Sequence, residues 1–410
     1  MNILVLSDYF WPDRTGGIAK SLLTEVEGLS ERGHNVVVLS RRLDDESPEH
    51  ESRDGYELYR YDSPPKDSSI YQLYPLFTFA RVPKTIGNLD ERYDFDVAYI
   101  HNSFQAVGFR MSSLDIPFVN VFHAPIPREI EVEAERGKYG WKTPLVRVAN
   151  QGFKLLENVA VQNSDDLITR SQFMTKEMYD LYDNPGSVRE IPLAVDTDRF
   201  EFAPDPTPAR EELGLPLDRP ILLTVRRLVA RMGLENLVRA METVVEDHPD
   251  ALLLIGGKGY LKDKLERMVE EKGLTDNVRL LGFVAEDELP KYYQAANYFV
   301  MPTLELEGFG LSSLEALSSG TPVIGTPVGG TPEVIGPLDE ELLCDSPSPD
   351  DLAESISTWL EKDGRDEMRQ KSREYCESRF SVAQVTSSLE STFNDVTGDG
   401  SSTSRVSQSL

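Results

Sequence analysis

Glu307 and Glu315 stand eight residues apart in PTLELEGFGLSSLEALSSGTPVIGTPVGGTPEVI, the stretch from Pro302 to Ile335. Between them a turn carrying Gly308 and Gly310 leads from a strand ending at Met301 into a helix starting near Leu311. Glycines there let the backbone come close to a ligand. The free N–H groups and the dipole of the helix start make a pocket for a phosphate. Carboxylates accept hydrogen bonds from the vicinal hydroxyls of sugars, so this stretch offers a phosphate site with a hydroxyl reader on either side. A sugar–diphosphate–ribose has that order of parts. The plain alternative is a strand–loop–helix with solvated glutamates.

A second group is Arg226, Arg227 and Arg231 in TVRRLVARMG, Thr224 to Gly233. Fixed cations at the end of a strand would neutralise a diphosphate leaving group, as a metal does elsewhere. Arg226 and Arg231 read equally as surface charges offsetting acid. In DRTGGIAK, Asp13 to Lys20, Gly16 and Gly17 would let backbone approach the same phosphates, although a GG pair alone marks only a turn. Gly257 lies in the GGKG run Gly256–Gly259, a backbone turn that is expected to face such a ligand. His123 ends the strand-like FVNVFHA and is either structural or aimed at a ligand.

The Glu307–Glu315 segment resembles the E-x7-E signature of glycosyltransferase family 4, retaining enzymes of the GT-B fold. That resemblance runs from the first strand to about Asn394. It implies that Glu307 contacts hydroxyls of the donor sugar and Glu315 the ribose. It also implies that the amides around Phe309, Gly310 and Leu311 hold the distal phosphate. TVRRLVARMG is similar to the family's G-R-L-V-x-x-K-G, where Arg and Lys both contact the diphosphate. Arg227 matches the Arg, Met232 stands at the Lys position, and Arg231 is the residue to supply the missing charge. The family has a glycine-rich loop at Gly16 and Gly17, and a histidine at His123 that contacts a distal sugar hydroxyl. GFV, Gly282 to Val284, resembles the base-binding loop and brings in Phe283. Asp196 in PLAVDTDRF resembles a hinge motif and is read as structural. The implied chemistry is same-face transfer of a hexose from a UDP-, GDP- or ADP-sugar, the leaving phosphate taking the acceptor's proton. No metal or other cofactor is implied. The rivals are a pyridine-nucleotide oxidoreductase using Ser40–Arg41–Arg42, a non-catalytic sugar-nucleotide sensor, and a sugar-nucleotide epimerase. The first lacks GxGxxG and has too long a first turn.

These residues need parallel sheets to hold them. Short apolar runs alternate with helical patterns, the sign of doubly wound α/β domains. The strands read Ile3–Ser7, Val36–Ser40, Val97–Ile100, Phe118–Phe122 and Asp166–Thr169, then Ile221–Val225, Ala251–Ile255, Val278–Leu281, Tyr298–Met301 and Pro322–Gly325. Five prolines in 201–220 mark the linker. The expected organisation is an acceptor domain over 1–200 and a donor domain over 201–380. A helix over 381–396 crosses back to the first domain, and a disordered tail covers 397–410. Ligands of such sheets bind at the carboxyl ends of the strands, in a cleft between the domains.

Composition narrows the partners. The 410 residues are 40% apolar and carry 70 acids against 42 bases, a net charge of −28. Such a field repels nucleic acid. Acid spread along the chain, with arginine favoured over lysine, resembles proteins of salt-accumulating microbes and points to a halophilic archaeon. Two distant cysteines, Cys344 and Cys376, and five histidines without paired spacing give neither a disulfide framework nor a metal site. The N-terminus reads as a strand, not a signal peptide, so a cytoplasmic protein is expected. From Arg136 to Leu156 there are five bases, no acid, and interleaved Tyr139, Trp141, Leu145, Val146 and Phe153. That composition suits an anionic membrane face presenting a glycan or lipid-linked acceptor.

Overall fold

The computed structural model describes residues 1–398 apart from Arg14, Thr15, Asp45, Lys66, Asp67, Ser69, Ala124, Gly137 and Asn184. Part of the glycine-bearing loop at 13–20 and residues 399–410 of the expected tail therefore lie outside the described residues. The chain divides into two compact units, Met1–Pro192 with the segment from Ala383, and Leu193–Val382.

The first unit holds an eight-stranded sheet. Its strands are β1 (Asn2–Ser7), β2 (Asn35–Arg42), β3 (His50–Arg53), β4 (Tyr56–Asp62), β5 (Val97–Ile100), β6 (Phe118–Phe122), β7 (Asp166–Thr169) and β8 (Val188–Glu190). Their order is β3-β4-β2-β1-β5-β6-β7-β8, all parallel except the β3–β4 hairpin. β5, β6 and β7 are buried along their whole length. A sheet covered on both faces explains why these strands read as unbroken apolar runs. The three strands that sequence reasoning missed lie at the edges or beside them. β3 reads HESR and β8 reads VRE, charged sequences suited to an edge and lacking any apolar signal. The helix Val382–Thr397 also belongs here from Ala383 on. Its Phe393 ring meets Tyr99 at 5.3 Å, and its Asp395 lies 2.8 Å from Arg189.

The second unit holds β9 (Ile221–Val225), β10 (Leu252–Gly256), β11 (Val278–Gly282), β12 (Tyr298–Met301) and β13 (Val323–Gly325) in the order β11-β10-β9-β12-β13, all parallel. The proline-rich stretch at 201–220 lies inside this unit, because the division falls at Pro192. The reason is Arg210 in the helix Thr207–Leu213. Its buried guanidinium donates to the Ala295 carbonyl and to Asn297 Oδ1, both at 2.9 Å, and so ties the stretch to the sheet.

In each sheet the strand order reverses once, between β1 and β5 and between β9 and β12. Strand-connecting loops part at such a point and leave a crevice beyond the carboxyl ends. Of the residues singled out from sequence, Gly16 and Gly17 follow β1, Arg227 and Arg231 follow β9, and Glu307 and Glu315 follow β12, whereas His123, Gly257 and Phe283 follow β6, β10 and β11.

Candidate functional site

In the second unit β9 delivers Arg226 and β12 delivers the segment from Thr303 to Glu307. Arg226 folds inward. Its Nη2 donates to Glu307 Oε2 at 2.7 Å and its Nη1 to Thr303 Oγ1 at 2.8 Å. Thr303 Oγ1 donates in turn to the same Glu307 oxygen at 3.2 Å. The side chains of Arg226 and Glu307 are 6% and 13% exposed. Burial pulls the Arg226 guanidinium below its ordinary value, the Glu307 carboxylate opposes this, and Arg231 and Arg227 add to the lowering. The reading of Arg226 and Arg231 as surface charges is therefore corrected: both are turned into the protein.

Arg231 Nη1 donates to the Leu306 carbonyl at 2.9 Å, and the Arg231 carbonyl accepts from Leu304 N–H at 2.9 Å. Leu306 has φ of +54°, a left-handed conformation rare for a leucine, immediately before Glu307. Arg231 thus clamps the turn that aims Glu307. Gly329 closes that turn from the other side. Its φ is +64°, and a Cβ there would lie 2.3 Å from the Glu307 carbonyl oxygen. Met232, at the lysine position of the family pattern, is 7% exposed and packs in the core. Arg227 is exposed at the end of β9.

The helix Leu311–Ser318 begins after Gly310, and no side chain caps its first turn. Its N-terminal amides keep the anion-binding character of an uncapped helix start. Phe309 places only its backbone there, since its ring is buried against Phe380 at 5.7 Å between centroids. One turn on, Glu315 is 5% exposed and accepts from the Tyr293 hydroxyl on Oε2 at 2.7 Å. At the end of β10, Gly257 N–H donates to the Gly282 carbonyl at 2.6 Å. A Cβ on Gly257 would lie 1.9 Å from the Arg226 carbonyl oxygen, so only glycine lets these strand ends approach. Phe283 follows β11, is 53% exposed, and carries Lys258 Nζ 4.4 Å from its ring centroid. An exposed aromatic face of this kind can stack a planar base.

In the first unit Gly16 and Gly17 open the helix Gly17–Glu31. A Cβ at either would meet nothing within 4 Å, so nothing in the chain's own packing calls for glycine there. His123 follows β6. Its Nε2 lies 3.1 Å from Nδ1 of His101, which follows β5. Burial and the Arg170 cation push the His123 imidazole down to about 3. Burial, His123 and Arg170 hold His101 well below its ordinary value. Behind them Arg170 pairs with Glu25 at 2.8 Å, and Tyr99 donates to Glu25 at 2.7 Å. Sequence reasoning missed His101, Tyr99, Arg170 and Glu25; the one available signal for His101 was its place at the end of an apolar run. The proposed 2′-phosphate reader is absent: Arg41 is buried under the Tyr74 ring at 4.0 Å, and Arg42 pairs with Asp62.

Residues 206–379 match the glycosyl transferases group 1 family, and residues 15–199 match glycosyltransferase family 4. The chain is a glycosyltransferase of the family 4 kind. An uncharacterized glycosyltransferase of Methanocaldococcus jannaschii is 29% identical over 342 residues, covering 82% of this chain and 83% of that one. A GDP-mannose-dependent alpha-(1-6)-phosphatidylinositol monomannoside mannosyltransferase of Mycolicibacterium smegmatis is 29% identical over 347 residues, covering 81% and 82%. The solved sucrose-phosphate synthase of Thermosynechococcus elongatus superposes with a TM-score of 0.81 at 22% identity, over 97% of this chain and 100% of that one. The transferase has the GT-B fold.

Proposed function

We propose that the transferase moves a hexose from a nucleoside diphosphate sugar to an acceptor hydroxyl with retention of configuration. The observation that carries this is the uncapped helix start between the fixed carboxylates of Glu307 and Glu315, with exposed Arg227 at the neighbouring strand end. In this reading Glu307 binds the sugar and Glu315 the ribose. The amides of Phe309, Gly310 and Leu311, with Arg227, hold the diphosphate, and Phe283 lies under the base beside the Gly257 turn. Gly16, Gly17 and His123 are, in this reading, further donor contacts. Catalysis is then positioning and charge stabilisation: the leaving phosphate accepts the acceptor's proton while the sugar passes through an oxocarbenium-like state. No metal is assigned a step. Arg231, clamped to Leu306, supports the turn and adds positive charge next to the position where the family pattern has its lysine.

For the acceptor we propose a glycan or lipid-linked sugar met at the cytoplasmic face of a membrane. Among the described residues no helix is long and apolar enough to cross one. The helix Thr143–Gln162 instead shows an exposed stripe of Leu145, Val148, Leu155 and Val159, spaced to share one face. Trp141, 87% exposed, precedes it, and Lys142 and Arg147 supply positive charge, while Lys138 is paired with Glu133 at 2.8 Å. The excess of 70 acids over 42 bases fits a protein that works in concentrated salt, and we assign it to a halophilic archaeon on that ground.

The test is a panel of UDP-, GDP- and ADP-sugars in molar potassium chloride, read by thermal shift and then by turnover with soluble and lipid-linked acceptors. One donor should stabilise the protein and be consumed only with acceptor present. Binding without turnover would make it a sensor, and product without acceptor an epimerase. Flotation with anionic vesicles at the same salt should carry the wild type but not Trp141→Ala/Leu145→Ser. A melting temperature equal in dilute and molar salt would sink the halophile assignment.

A further inference from the structure

Arg226 stands where the G-R-L-V-x-x-K-G pattern has glycine, so the fold itself does not ask for an arginine there. Its backbone is fixed on both sides: its N–H donates to the Gly256 carbonyl at 3.0 Å, and Gly257 packs against its carbonyl. The side chain is buried, and its Nε has no hydrogen-bond partner among the described residues. A buried ion pair is a poor source of stability, because desolvating both charges offsets their attraction. An arginine kept in such a place calls for another reason.

We infer that Arg226 is a positioning residue that commits one oxygen of Glu307 and so makes this carboxylate read one sugar hydroxyl more strongly than its vicinal neighbour. The inference rests on the donor reading given above. A carboxylate has about four lone-pair sites and can straddle two vicinal hydroxyls with its two oxygens. Here Oε2 already accepts from Arg226 and from Thr303. Only Oε1 is left for the ligand. Rotation of the carboxylate would break a charge-assisted bond of 2.7 Å in a site shielded from water. The backbone cannot yield either, since the Glu307 carbonyl accepts from Gly330 N–H at 2.8 Å and Gly329 presses on it. Thr303 is the second arm of the same device: it bridges Arg226 and Glu307 through one hydroxyl.

The experiment uses the preferred nucleotide sugar and its analogues lacking one ring hydroxyl each, with kcat and KM measured for every analogue. In the wild type one deoxy donor should lose about tenfold to a hundredfold in kcat/KM, the worth of one bond to a charged acceptor. Its vicinal neighbour should lose only a few-fold by the same scale. In Arg226→Gly the ratio between these two analogues should collapse toward one, in Thr303→Val, which keeps the ion pair, it should fall only in part, and Arg226→Lys should restore part of it. Circular dichroism and melting check that each variant is folded; if Arg226→Gly is not, Arg226→Met decides, because it removes the donors to Glu307 and keeps the side chain's bulk. Equal losses for both vicinal analogues in the wild type, or an unchanged ratio in folded Thr303→Val and in folded Arg226→Gly or Arg226→Met, would overturn the inference. A wild type that neither binds nor turns over any nucleotide sugar would instead sink the donor reading beneath it.

Discussion

At the β9/β12 reversal the site is made of charges held by other charges: Arg226 on Glu307, Arg231 on the turn before it, and a helix dipole beside them. At the β1/β5 reversal it is made of neutral groups kept neutral: His101 and His123 share one hydrogen bond in front of a buried arginine. The same position in two similar sheets has been furnished in opposite ways. The charged site suits ligand charge that changes during a reaction. The neutral pair suits recognition of uncharged hydroxyls, and its cation, Arg170, is spent inside the protein on Glu25.

The largest effect should come from breaking the charged site. Glu307→Gln should lower kcat by about 10²- to 10³-fold, the scale of losing a fixed electrostatic contact in an active site. It should also destabilise the protein by about 3 kcal/mol, because Arg226 is left buried with its charge uncompensated. Glu307→Gln/Arg226→Gly should recover the melting temperature and not the rate. A double variant as unstable as the single one would show that the ion pair is not what holds the turn.

The comparison of the two sites also explains what could be read in advance. The glutamates, the glycines and the helix start lie within 34 contiguous residues, and each has a local reason for its type. Their grouping was legible because the chain itself brings them together. Arg226 was visible as a cation, yet its partner lies 81 residues away, so its inward turn was not. The neutral pair is harder still. Glu25, Tyr99 with His101, His123 and Arg170 come from four separate segments, and only the strand order β1-β5-β6-β7 places them together. The parallel core was legible from apolar runs; β3 and β8 were not, because charged edge strands carry no such signal.

A middle-sized effect should come from acid. His123 is held at about 3 in the folded chain and returns to about 6.5 on unfolding. Between those values the unfolded chain binds a proton that the folded chain refuses, so stability is lost as pH falls through that window. Glu157 acts in the opposite sense. Burial raises it to about 7, so the folded chain holds a proton down to the unfolded value and gains stability as pH falls. His101 and His123 together should outweigh Glu157. Melting temperature should fall from pH 7.5 to 5.5, fall less in His123→Asn, and fall more in Glu157→Gln. If His123→Asn keeps the wild-type slope, the pair does not carry the pH dependence.

The smallest expected effect probes a contact that resembles the Arg226–Glu307 bond without its charge. Tyr293 is fully buried, and burial with the Glu315 carboxylate beside it raises its hydroxyl well above the ordinary value. It therefore stays a donor to Glu315 Oε2 at any working pH. Tyr293→Phe removes one hydrogen bond and keeps the ring, whose packing against Phe200 and Phe299 at 5.8 and 5.5 Å should be undisturbed. A buried bond to a charged acceptor contributes about 1.5 to 3 kcal/mol, and part of that loss will be met by Glu315 turning toward the ligand. Nucleotide affinity should fall about fivefold, with kcat nearly unchanged, because Glu315 is assigned to the ribose and not to the transferred sugar. The measurement is a titration with the bare nucleoside diphosphate beside steady-state rates on the full donor. A fall in kcat as large as the fall in affinity would mean that Glu315 acts on the reacting sugar, and the division of labour between the two glutamates would have to be redrawn.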